Sequence, residues 1–136
     1  MRTTKLFDAI KEVASDMGIS TFSGDKNQIS QTALQPRSLW VLPPTVGEIV
    51  GVFDSEVLYK LEIYYIEFIE DSENQNVNQM VDVMCRFAAE LAKHSVVEHC
   101  SVGEIVPVSV PLTRYGELSV KMNIEVKISN CEHLSI

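Results

Sequence analysis

The sequence predicts an α+β domain, a mixed and mainly antiparallel sheet with two amphipathic helices packed on one side, in the order α-β-β-β-α-β-β. Three stretches carry that expectation. The closing segment GELSVKMNIEVKIS alternates Leu118, Val120, Met122, Ile124, Val126 and Ile128 with Glu117, Ser119, Lys121, Asn123, Glu125 and Lys127. This is a strand with one buried and one solvated face, spanning about 40 Å if fully extended. Two other segments repeat their apolar residues at helical spacing instead. With 136 residues, the chain is long enough to form one domain, 1–136, around a single core without help from a disulfide or a metal.

The first element is an N-terminal helix. Leu6, Phe7, Ile10, Val13, Ala14 and Met17 form one stripe, Thr3 or Thr4 is placed to cap the start, and Gly18 to end it. GISTFSG then reads as a short strand and RSLWVLP as a second. The polar stretch between them, Gly24 to Pro36, is long for a compact domain, and is expected to be mobile in the isolated chain and to order against a partner through Asp25, Lys26, Asn27 and Gln28. Residues 43–55 mix turn formers with an apolar patch and are expected to form a hairpin arm.

The long third strand, Glu56 to Phe68, changes character along its length. Val57, Tyr59, Leu61, Ile63 and Tyr65 give it one apolar face, opposed at first by Lys60 and Glu62 and then by Tyr64, Ile66 and Phe68. A second helix follows, opened by the capping-box pattern Ser72-x-x-Gln75 and striped by Val77, Met80, Val81, Met84, Phe87, Ala88 and Leu91. Cys85 is read as a small residue within that stripe. The next strand runs from Val96 toward EIVPVSVP, where Pro107 and Pro111 point to a sheet edge or a bulge.

The charge narrows the functional classes. The chain carries a formal net charge of −8. Glu48, Asp54, Glu56, Glu62, Glu67, Glu70, Asp71 and Glu73 cluster between Gly47 and Glu73 with only Lys60 to oppose them. A surface that grips DNA neutralises phosphates with Lys and Arg, so the acidic balance argues against phosphate-gripping, though not against a surface that DNA slides past. No apolar run approaches the roughly 18 residues of a membrane span. The start, MRTTKLFDAIKEV, is charged where a signal peptide has its apolar core, so the three cysteines are expected to be reduced thiols.

Chemistry-bearing residues are sparse. His99 and Cys100, with Cys131 and His133, supply the residue types of a zinc site, but adjacent strand residues point to opposite faces and neither pair has a Cys-x-x-Cys turn. Cys100 has no base placed beside it to make it a nucleophile. Acid pairs such as Glu67 with Glu70 lie outside any pocket-forming context, and the chain has no glycine-rich phosphate loop, no His-Glu-x-x-His and no Gly-x-Ser-x-Gly. Trp40 and Tyr59, Tyr64, Tyr65 and Tyr115 lack the interleaved basic residues of a base-stacking surface. The expectation is therefore no catalytic residue, no metal, no cofactor and no enzyme. Apolar residues that one small core cannot easily cover mark a subunit interface instead: Val46, Ile49, Val50, Val52 and Phe53 of the arm, and Ile66 and Phe68 at the end of the long strand.

The succession TTKLFDAIKEVASDMG, PRSLWVLPP, FDSEVLYKLEIYYIEF, NQMVDVMCRFAAELA and YGELSVKMNIEVKI resembles the tail terminator and head-to-tail joining family of tailed bacteriophages over nearly the whole chain. The resemblance implies a structural virion protein, assembled in the host cytoplasm as a ring, commonly a hexamer or else a dodecamer. It also implies neighbouring head-connector and tail proteins, and DNA passing non-specifically through a lumen. Lys60 and Glu62 would then face the lumen or the solvent. Two rivals stand beside it: an acidic dimeric secretion-type chaperone, of a kind that closes with a dimer-building helix where this chain has a strand, and a small thiol- or metal-dependent enzyme. Limited proteolysis tests the loop. Cleavage within 24–36 is expected in the free subunit and protection in an assembled ring, while equal susceptibility in both states would remove the loop from the interface.

Overall fold

A computed structural model describes residues 2–25, 28, 36–50, 56–67, 77–108 and 118–129. In chain order the elements are α1 (Arg2–Asp16), β1 (Ser20–Ser23), β2 (Arg37–Val41), β3 (Thr45–Val50), β4 (Glu56–Glu67), α2 (Val77–Ala92), β5 (Val97–Pro107) and β6 (Leu118–Ser129). The fold is α+β, with the expected order plus the short strand β3 inside the expected arm.

Helix α1 ends as the glycine predicts. Gly18 takes φ +76°, the Gly18 amide donates to the Ser15 carbonyl at 3.0 Å, and the Ile19 amide donates to the Ala14 carbonyl at 2.9 Å. These two bonds satisfy carbonyls that a helix end leaves open, and a left-handed residue is needed to make them. The expected caps Thr3 and Thr4 lie inside the helix, which starts at Arg2. In α2 the buried stripe is Met80, Met84, Phe87, Ala88 and Leu91. Cys85 is exposed, contrary to expectation, because it sits about 100° around the helix from Met84. The Ser72-x-x-Gln75 pattern lies outside the described residues.

The sheet runs β1-β2-β4-β6-β5. Its backbone is the antiparallel pair β4 and β6, matched from Glu56 opposite Ser129 to Glu67 opposite Leu118. The free edge of β4 is shared by two short strands set end to end, β2 along Ile63 to Glu67 and β3 along Glu56 to Lys60. The Leu42 amide makes the last rung of the first run, donating to the Glu62 carbonyl at 3.1 Å. Pro43 and Pro44 then follow, and proline has no amide to donate, so the ladder lapses and resumes at Thr45 opposite Lys60. On the other side, β5 is an edge strand whose register slips between Val97 and His99 and again between Val102 and Glu104.

Strand β1 is parallel to β2. A parallel neighbour needs a crossover of about a dozen residues or more, so the length of the 24–36 connection has a topological cause.

Both helices cover the same face. The main core joins Leu6, Ile10 and Val13 of α1 and the α2 stripe to Val57, Tyr59, Leu61, Ile63 and Tyr65 of β4 and to Val120, Met122, Ile124, Val126 and Ile128 of β6. Ile124 lies opposite Leu61 on one side and Val102 on the other, and is 1% exposed. Ile124→Asp buries an unpaired carboxylate at this centre, at a cost of roughly 3 kcal/mol or more. A urea titration is expected to show a large drop in midpoint or no folded baseline, and an unchanged midpoint would refute the assignment of this face.

Candidate functional site

The helix-free face of the sheet is where the predicted residues of the long strand converge, and pairing arranges it in rows. Thr45, Lys60, Glu125 and Ser101 form one row across β3, β4, β6 and β5. Glu62, Asn123 and Glu104 form the next. Further along, Phe22, Trp40, Tyr64, Lys121 and Val106 line up, followed by Ser20, Ser38, Ile66 and Ser119. The face thus passes from charged to apolar along β4, because the even positions of that strand do so.

The charged rows carry both signs, and opposite signs meet within and between them. Lys60 lies directly opposite Glu125. Lys121 Nζ is 3.2 Å from Glu62 Oε1, a diagonal contact between adjacent rows. The hydrogen bond to Glu62, and then the charge of that carboxylate, hold the Lys121 ammonium above its ordinary pKa. Such an exposed pair contributes little to stability, and its effect is to leave a surface of mixed sign. A shallow cavity of about 600 Å³ opens over these rows, floored by Lys60, Glu62, Asn123 and Glu125, with Pro43 and Thr45 on one side and Gly103 on the other.

The apolar rows are closed over by the chain itself. Trp40, Tyr64 and Ile66 form a second cluster, with Phe22, Leu42 and Val108 packed against it. Ile66 is 0% exposed, which corrects the expectation that it waits for a neighbouring subunit. Phe22 stacks on Trp40 with ring centroids 6.2 Å apart and planes 19° from parallel. The buried indole needs an acceptor, and Trp40 Nε1 donates to the Gly24 carbonyl at 3.0 Å.

The same contact fastens the start of the 24–36 stretch. The Asp25 amide donates to Gln28 Oε1 at 2.9 Å, and the Gln28 amide donates back to the Asp25 carbonyl at 3.0 Å. Gly24 takes φ +148°, and a Cβ there would overlap Gln28 Oε1 and press on Trp40 Cζ2 at 3.1 Å. This anchor was invisible in the sequence, where Gly24 reads as one more turn residue. Lys26 and Asn27 lie outside the described residues.

The remaining site residues divide as follows. The backbones of Val46, Ile49 and Val50 lie on β3, while Val52, Phe53 and Phe68 fall outside the described residues. Tyr59, Tyr64, Tyr65 and Trp40 are at most 4% exposed, so none offers a ring to a nucleic-acid base. At the end of β4, Tyr65 Oη donates to Glu67 Oε2 at 2.6 Å, and Arg37 Nε stands 3.9 Å from the same oxygen. Burial, then the Glu67 hydrogen bond and charge, push the Tyr65 pKa far above its usual value.

His99 pairs with Lys127 on the helix-free face, while Cys100 pairs with Val126 on the helix side, so the two do not converge. The Cys100 thiol is directed at the Ala88 carbonyl, 3.9 Å away, and burial pushes it up to about 11. Among the described residues no group of three or more His, Cys, Asp and Glu side chains is placed to hold a metal ion, and no helix is long and apolar enough to cross a membrane. Cys131 and His133 lie outside the described residues. Compared with protein-family models and with curated proteins, the sequence matches none.

Two measurements test this geometry. Gly24→Ala is expected to cost roughly 1–3 kcal/mol through backbone strain, and Trp40→Phe about 1 kcal/mol through the lost bond to Gly24. Urea midpoints for both, with Trp40 emission as an added probe where the indole remains, decide it; parental values would remove the anchor. With Cys131 replaced by serine, iodoacetamide at neutral pH is expected to modify Cys85 and spare Cys100, whose rate rises only as pH climbs toward about 11. Equal rates for the two thiols at neutral pH would contradict the placement of Cys100 beneath α2.

Proposed function

We propose that this chain is a structural, non-enzymatic subunit of a ring at the head–tail junction or tail end of a tailed bacteriophage, a tail terminator or connector ring with DNA passing through its lumen. The observation that carries the reading is the element order combined with one-sided packing. Two helices cover one face of a β3-β4-β6-β5 antiparallel sheet, and the other face carries paired charges of both signs in place of a catalytic constellation. Mixed charge with an acidic surplus over the whole chain suits a passage that must not hold DNA. The partners in this reading are further copies of the chain, six or else twelve, together with the adjacent head-connector and tail proteins.

A closed ring needs a head-to-tail contact between two different surfaces. The arm keeps its place in that proposal, because β3 pairs only with the first residues of β4, Glu56 to Lys60, and the sequence then runs on into the apolar Val52 and Phe53. Native mass measurement of the purified chain, alone and with its tail tube, is expected to give a hexamer or dodecamer in at least one condition. Phe53→Glu is expected to leave the thermal melt of the subunit unchanged and to abolish that assembly. A stable dimer in both conditions would replace the ring with the chaperone reading, and a Phe53→Glu chain that still closes rings would take the arm out of the contact.

A further inference from the structure

We draw no further inference here: the strongest candidate, the outer edge of β5 around the exposed Val102, is a bulged sheet edge carrying the exposed Glu98 and Glu104, and nothing in the structure shows what covers it.

Discussion

The pairing of β4 with β6 is the constraint from which the rest of the molecule follows. The two strands stay in register for the whole length of β4, without a bulge. Side chains alternate with period two, so one register choice sends Val57, Leu61 and Ile63 to the same side as Ile128, Ile124 and Met122. A slip of one residue would turn the charged positions of β6 inward. With that face settled, both helices have one place to bury their stripes, and their packing on the same side is a consequence rather than a separate choice. The free edge of β4 is then longer than either β2 or β3, which explains why two short strands with a proline break between them share it.

The character of β4 as a strand wet at one end and greasy at the other resolves in the same terms. Among its first even positions, Lys60 and Glu62 lie opposite Glu125 and Asn123, where solvent and opposite charges satisfy them, with Glu62 also paired to Lys121. Its later even positions, Tyr64 and Ile66, lie beside Trp40 and Ser38 of β2, and β1 adds Phe22 to that side. Strands β1 and β2 lie only at that end, and a second small core forms there. Apolar residues on both faces of a strand therefore need not announce a neighbouring subunit; here the chain supplies its own cover.

Where the sequence was legible, the signal was strong periodicity. Val120, Met122, Ile124, Val126 and Ile128 of β6 and the α2 stripe of Met80, Met84, Phe87 and Leu91 are buried as their spacing requires, and Pro107 ends an edge strand. Where it was not legible, the missing information was non-local. Nothing in RSLWV says that its partner on one side is parallel, yet that pairing sets the length of the 24–36 connection. Cys85 lies among apolar residues in the sequence, although its angle around the helix excludes it from the stripe. The Gly24 anchor depends on Trp40, sixteen positions away, and no local pattern joins them.

The same distinction governs how far the candidate face supports a function. A catalytic site concentrates groups whose environments drive their protonation states apart and aims them at one point. On the helix-free face, charged groups of both signs are instead spread over rows, with Lys121 paired to Glu62, and the thiol nearest to a histidine in sequence points to the other side of the sheet. The buried pair Tyr65 and Glu67 is directed inward, each satisfying the other at 2.6 Å. Among the described residues this arrangement leaves a broad sheet face that carries charges of both signs. In the ring we propose, a surface of that kind would serve contact without capture, the physical requirement that a conduit for DNA imposes on its wall.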